Sequence, residues 1–227
     1  MKAVEKINQF MEWIADYSFP ELPEYFIRFA HAGEYLEAYR ELEEKIGLRL
    51  PRGFFELIES VGIPSFDLDF IDAIDVLQNS DDNSASVQAY RNMSGPLFNG
   101  LIIMKPGEMA AAHEEILSVL GSSHPRGRYW YPVATTRGDR DEGWLLDTRF
   151  AAEHDESPVA PYRLEDIYSY HETLEEDEPL AMSIATFDAY IVDYLERLRN
   201  QLMTADAAAV RKNIKEQIEY MKNHGLY

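Results

Sequence analysis

The sequence predicts an α+β protein with an antiparallel sheet. Amphipathic helical patterns fill the first 60 residues, and the strand patterns cluster between Leu97 and Asp147. The two kinds do not alternate regularly, as they would in a parallel βαβ fold. With 227 residues, of which 46% are hydrophobic, the chain is long and apolar enough to bury a core.

Three helices are predicted in the N-terminal part. The first spans Lys2–Tyr17, where apolar residues recur at helical spacing, and residues 19–23, which contain two prolines, break it. The second runs from about Ala32 to Ile46 and ends at Gly47. The third is short, follows Pro51 and ends at Gly62, because proline is well placed at a helix start.

An acidic and apolar alternation follows from Phe66 to Asp82. This segment contains six aspartates and neither lysine nor arginine. Its period fits an edge strand that passes into a short helix, and the pattern leaves the boundary between the two open. The polar residues 78–86 predict a loop.

The best strand candidates lie in the middle of the chain. Leu101–Met104 is short, apolar and bounded by glycine and proline, and a helical pattern covers Glu108–Leu120. Tyr129–Ala134 and Trp144–Leu146 flank a polar stretch with two glycines, which predicts a hairpin. The tryptophan of each of these strands is expected in the core.

Two further helices are predicted at the C-terminus. Phe187–Leu202 carries an apolar face, with Thr186 as its N-cap, and a last helix spans about Ala205–Asn223. Without repeats or a low-complexity linker, the sequence predicts one domain over residues 1–203 and an appended basic amphipathic helix over residues 204–227.

The charge balance narrows the class of partner. The chain has 41 acidic and 21 basic residues, a formal net charge of −20. Such a field repels phosphate backbones and anionic membrane surfaces, and it attracts a basic protein. The alternative interpretation is that the negative charge only keeps the protein soluble. Residues 197–227 are the exception, with six basic and three acidic residues. This tail can pack on the acidic body or reach a second copy, so both a monomer and a homodimer fit.

The cellular compartment is predicted from three features that the sequence lacks: cysteines, a membrane helix and a signal peptide. There is no cysteine, which excludes disulfides and thiolate sites. No apolar stretch approaches the roughly 20 residues of a membrane helix, and the first residues do not resemble a signal peptide. A cytoplasmic protein is expected.

Catalytic and cofactor motifs are not found in the sequence. It has no glycine-rich phosphate loop, no nucleophile elbow and no helical histidine pair. His154-Asp155-Glu156 is the most metal-like cluster, but adjacent residues of an extended chain point in opposite directions. Glu175–Glu178 is interpreted as a solvated loop. The expectation is a non-enzyme without catalytic residues, metal or cofactor.

Three segments resemble the SMI1/KNR4 (SUKH) superfamily. Glu43–Ile58, with an Ile-Gly pair, then Leu-Pro and a short amphipathic helix, resembles its opening signature. Tyr131–Thr148 resembles its central hairpin with a Leu-Asp ending, and Met182–Ile191 resembles its closing helix. The likeness covers roughly residues 30–200. Val61-Gly62 replaces the usual Asn-Gly, and the loop 78–96 has no counterpart.

The resemblance implies a curved antiparallel sheet flanked by helices, used as a protein-binding scaffold. Bacterial members are typically immunity proteins that neutralise a toxin by binding it, and eukaryotic relatives are linked to cell-wall regulation. A toxin with a basic surface is the expected partner. A housekeeping scaffold or regulator and a carboxylate-dependent enzyme are the alternatives. The predicted partner-binding residues are acidic side chains: Asp67, Asp69, Asp72, Asp75, Asp139, Asp141 and Glu142.

Overall fold

The computed structural model confirms the α+β class. It describes residues 1–17, 19, 21–47, 49–68, 100–121, 127–135, 142–150, 156–164, 167, 184, 186–204 and 207–225. These residues form a curved, open sheet flanked by helices. Among the described helices, none combines the length and the apolar character needed to cross a membrane.

Seven α-helices lie in the described part of the chain. They are α1 (Ala3–Tyr17), α2 (Glu21–Tyr25), α3 (Leu36–Ile46), α4 (Arg52–Val61), α5 (Pro106–Leu120), α6 (Phe187–Thr204) and α7 (Ala207–Asn223). Six of them were predicted, with ends that agree within four residues. The largest difference is at the start of α3, where Ala32–Glu34 forms a separate 3-10 turn.

Six strands form one sheet, and each strand pairs antiparallel with the next along the chain. They are β1 (Ile27–Ala30), β2 (Ile63–Phe66), β3 (Leu101–Ile103), β4 (Trp130–Thr135), β5 (Glu142–Asp147) and β6 (Val159–Arg163). The predicted antiparallel sheet and its central hairpin, β4–β5, are confirmed. A bulge interrupts this hairpin between Pro132 and Ala134.

The helix ends follow the sequence signals. Gly47 ends α3 with a left-handed φ of 71°. The hydroxyl of Thr186 accepts the N–H of Ala189 at 3.0 Å, which satisfies one of the free donors at the start of α6. A glycine and a capping threonine therefore set these two helix boundaries, as predicted.

Four elements were not predicted. Residues 19–23 follow the end of α1 at Tyr17, as predicted, but they also start the short helix α2. This helix forms because Leu22 is buried and Pro23 falls in the first turn, where a missing N–H costs no bond. β1, β2 and β6 are the others. The sequence pattern predicts an edge strand from Phe66 onward, but β2 ends at Phe66. Most of the 66–82 segment lies outside the described residues.

One face of the sheet is covered by α1, α4 and α6. Phe66 of β2 lies between Phe10 of α1 and Tyr194 of α6, with ring centroids 6.0 and 5.9 Å away. Trp144 of β5 packs against Tyr190 of α6 at 4.7 Å. These aromatic contacts place α6 across the strands.

The other face is covered by α5. Ile116 of α5 forms a second core cluster with Trp130, Leu145 and Tyr162 from β4, β5 and β6. Trp144 and Leu145 are neighbours that face opposite sides, as successive strand residues do. Both predicted core tryptophans are buried, with 0% and 5% of their surface exposed.

α7 packs on the body of its own chain. Val210, Ile214 and Met221 are buried in the same core as α1 and α6. The guanidinium of Arg211 lies 6.0 Å from the ring centroid of Phe19, next to α2. The apolar stripe predicted for this helix is therefore covered by the rest of the molecule.

Candidate functional site

One end of the sheet gathers three strand starts and three strand ends. In an antiparallel meander, alternate connections leave from the same end of the sheet. The strand register places these terminal residues side by side: Ile27, Phe66, Leu101, Thr135, Glu142 and Arg163. We call this region the acidic end, because of the sequence attached to it.

Three acid-rich segments leave the sheet at the acidic end: residues 67–99, 136–142 and 164–183. The first two also return to the sheet there, whereas the third leads to Ile184, which bridges Val159 at the opposite end. Together the three segments hold 16 of the 41 acidic residues and 3 of the 21 basic residues. Their formal charge of −13 is the larger part of the net charge of −20. The two segments that both leave from and return to the acidic end hold nine acidic and three basic residues. Such an excess of negative charge attracts cationic surfaces and raises their rate of encounter.

The predicted partner-binding residues fall on these segments. Asp67 is exposed, and its backbone N–H donates to the carbonyl of Phe26 at 2.9 Å, which fixes it beside β1. Glu142 begins β5 opposite Arg163, so its backbone also lies at the acidic end. The others, Asp69, Asp72, Asp75, Asp139 and Asp141, lie outside the described residues.

Further carboxylates of the acidic end come from α2. This helix leads directly into β1, and it carries Glu21, which is half-buried, and Glu24, which is exposed. Arg163 is exposed opposite Glu142 and supplies a nearby positive charge. The described part of this end thus presents two exposed carboxylates, Glu24 and Asp67, on its surface.

A second feature is a cleft of about 300 Å³ where three helices begin. Its lining residues come from the starts of α1, α4 and α6 and from the chain before β6: Lys2, Arg52, Gly53, Glu56, Glu156 and Asp188. The positive ends of three helix dipoles point towards this region, and they favour carboxylates there.

Glu56 pairs with both cations of the cleft, Lys2 and Arg52. Its carboxylate accepts hydrogen bonds from the ammonium of Lys2 and, at 2.7 Å, from Nε of Arg52. These two hydrogen bonds, first Lys2 and then Arg52, lower the pKa of Glu56. A general acid at neutral pH needs a raised carboxyl pKa, so the shift at Glu56 runs against that role.

Asp188 ties α6 to the other two helices. Its Oδ1 accepts the backbone N–H of Ala3 at 3.0 Å. Gly53 lets the carboxylate approach α4, because a Cβ at this position would lie 3.1 Å from Oδ1. These contacts show a structural role for the cleft, namely fixing the start of α1 on α4 and α6.

A buried histidine lies between α5 and β4. His113 has 5% of its surface exposed, its Nδ1 is 3.0 Å from the carbonyl of Trp130, and its ring stacks on Tyr131 with centroids 4.4 Å apart. Burial lowers the pKa of His113, against the opposing effects of the Trp130 carbonyl and the Glu114 charge. The ring is therefore held neutral as a packing element.

The Leu-Asp ending of the β4–β5 hairpin forms a buried ion pair. Asp147 has 1% of its surface exposed, and Oδ1 accepts Nε of Arg149 at 2.8 Å. A second nitrogen of Arg149 bonds the other oxygen, which gives a two-pronged contact. The pair stiffens the turn at the end of the sheet opposite the acidic end.

Sequence reasoning missed the cleft and the Asp147–Arg149 pair. The i,i+4 spacing of Arg52 and Glu56 on one helix was a visible signal for their contact. Lys2 and Glu56 are 54 residues apart, and no local pattern links them. Across the described ranges, no three His, Asp or Glu side chains come together as a metal site.

Comparisons with known proteins give no relative. No protein-family model matches the sequence. Neither a curated protein nor a solved structure matches it.

Proposed function

We propose that this chain is a non-enzymatic, cytoplasmic protein-binding domain of the SMI1/KNR4 (SUKH) type. In this role it is an immunity protein that neutralises a toxin by covering a basic surface of that toxin with the acidic end. The observation that carries the proposal is that three acid-rich segments leave the sheet at one end, and that two of them also return to that end. The sequence resemblance supplies the family and the toxin.

The chemistry of the acidic end supports a protein partner. Carboxylates spread over a surface recognise lysine and arginine side chains, speed their approach and set the orientation of the complex. A toxin that acts on a polyanion carries such cations around its active site, so an anionic inhibitor would compete with the substrate there. Salt-sensitive, stoichiometric binding is the expected behaviour.

The first test is co-purification. The tagged protein is co-expressed with the product of the adjacent gene and captured at low salt and at 0.5 M salt. We expect a tight partner that is toxic when expressed alone. A harmless neighbour that is not captured at either salt concentration contradicts the immunity role. In that case the cleft at Asp188 becomes the place to look for a ligand.

A charge-matched pair of variants locates the interface. Asp67→Asn, Asp139→Asn and Asp141→Asn together remove three negative charges from the acidic end. Glu37→Gln, Glu41→Gln and Glu44→Gln remove three from exposed positions of α3. We expect the first set to weaken capture by about tenfold or more at low salt, and the second by much less. Equal losses would mean that net charge, not the acidic end, drives binding.

A further inference from the structure

α7 brings positive charge to an acidic molecule. Its described residues carry four basic side chains against two acidic ones. Arg211, Lys212 and Lys215 are exposed, and we call these three the α7 cations. Lys212 lies 3.7 Å from Glu216 of the same helix, an exposed pair of little energetic weight. The α7 cations therefore project a positive field into solvent.

The packing of α7 determines where on the molecule this positive field is located. Buried Val210 and Ile214 hold the first half of the helix on the body, and Arg211 lies over the ring of Phe19. Phe19 precedes α2, and α2 leads into β1 at the acidic end. The N–H of Asp67 bonds the carbonyl of Phe26, the residue between α2 and β1. In the described part of the chain, α2 thus connects the position of Arg211 with the acidic end.

α2 is short on the scale of electrostatic screening. A five-residue helix is about 7.5 Å long, and the Debye length at physiological ionic strength is roughly 8 Å. Because α7 packs against α2, the field of Arg211 extends along α2, which carries Glu24 and leads to the acidic end.

We propose that α7 is a built-in electrostatic competitor that regulates the acidic end. The inference depends on the proposed function, because it concerns the surface assigned to the partner. The α7 cations make the electrostatic potential at Glu24 and Asp67 less negative, so an approaching basic protein is attracted less strongly. A protein with few surface cations is then poorly attracted, and a partner with a dense cationic patch still binds.

The test removes two of these cations and compares the result with a matched control. Lys212→Gln with Lys215→Gln takes two positive charges from α7, at exposed positions outside its buried stripe. Lys105→Gln with Arg128→Gln takes two from exposed positions that adjoin the other end of the sheet, after β3 and before β4. Both variants reach the same net charge. Fluorescence anisotropy with labelled octalysine, at 0.05 and 0.5 M NaCl, measures the dissociation constant of each protein.

We expect the α7 variant to bind octalysine about fourfold more tightly than the unchanged protein at 0.05 M NaCl. A unit charge about 10 Å away in water changes a binding constant by roughly twofold, and two lysines are removed. The control variant should gain less than half of this effect. At 0.5 M NaCl the difference should vanish, because the Debye length falls to roughly 4 Å.

The outcomes separate the two proposals. The unchanged protein can bind octalysine in a salt-sensitive way while both variants gain affinity equally, or while the α7 variant gains none. Either result contradicts the regulatory role of α7 and leaves the proposed function intact. If the unchanged protein shows no salt-sensitive binding of octalysine, the proposed function loses its support, and the proposed role of α7 is contradicted as well. Circular dichroism of both variants checks that the helices are retained.

Discussion

Gly62 joins α4 to β2 in a conformation that other residues adopt only with strain. Its φ is 89°, and a Cβ would lie 2.2 Å from the carbonyl oxygen of Ala30. We expect Gly62→Ala to lower the free energy of unfolding by about 2–4 kcal/mol, since the backbone of β1 has to move to relieve the contact. Urea denaturation followed by circular dichroism measures this change.

Gly107 is the matched control for that substitution. It lies in the first turn of α5, and a Cβ there would meet no atom within 4 Å. Because alanine favours the helix over glycine, Gly107→Ala should leave stability unchanged or raise it by up to about 1 kcal/mol. Similar losses at both positions would contradict the steric argument for Gly62.

His113 makes the stability of the protein depend on pH. Burial holds its folded-state pKa below the unfolded value of about 6.5, so the native state favours the neutral ring. This contribution is fully present above about pH 6.5 and is lost as the pH falls through the folded-state pKa. We expect the urea midpoint to fall accordingly between pH 7 and pH 5.

His113→Gln separates this residue from the many carboxylates. Glutamine can donate a hydrogen bond to the Trp130 carbonyl but does not titrate. Glu114, on the same helix, is the charged neighbour that acts on His113 and Tyr131, and it is retained in the variant. The variant should lose less stability than the unchanged protein between pH 7 and pH 5. Parallel curves would show that other groups carry the pH dependence.

At the scale of elements, the sequence predicts helices better than strands. The boundaries of α3, α4 and α6 follow from caps and glycines that act within a few residues. β1 and β2 have four residues each and are paired across more than 30 positions, so their stabilising contacts leave no local signal. Pro64 also argues against a strand, yet it is tolerated because the β2–β3 ladder begins only at Ser65.

A buried hydrogen bond joins α3 to the residue that follows β3. Tyr39 has 0% of its surface exposed and donates to the carbonyl of Met104 at 2.6 Å, just after β3. Tyr39→Phe keeps the ring but leaves this buried carbonyl without its donor. We expect the free energy of unfolding to fall by about 1–3 kcal/mol in urea denaturation.

Tyr35→Phe is the control for this element. Tyr35 is half-buried at the start of α3, and within the described ranges its hydroxyl has no hydrogen-bond partner. Its loss should change the free energy of unfolding by less than about 0.5 kcal/mol. A loss as large as that of Tyr39→Phe would mean that removing a tyrosine hydroxyl from α3 destabilises the protein whether or not that hydroxyl bonds the Met104 carbonyl.

At the scale of the whole molecule, the acidic end results from topology. The sequence shows that acidic residues cluster near Asp67, near Asp141 and between positions 165 and 178. It does not show that these segments leave one end of a sheet, because that follows from strand order and register, which depend on long-range pairing. The acidic clusters are therefore visible in the sequence, and the departure of their segments from one end of the sheet is not.

The same charge distribution predicts how salt affects stability. Even if each of the 21 basic side chains paired with a carboxylate, 20 carboxylates would remain uncompensated. Surface ion pairs contribute about 0–1 kcal/mol each and weaken in salt, but repulsion among the excess carboxylates weakens as well. We expect repulsion to dominate, so raising NaCl from 0.02 to 0.3 M should increase the free energy of unfolding by roughly 1 kcal/mol. Urea is the suitable denaturant because it is uncharged. A decrease with salt would mean that attractive pairs, such as Lys6 with Glu196, outweigh the repulsion.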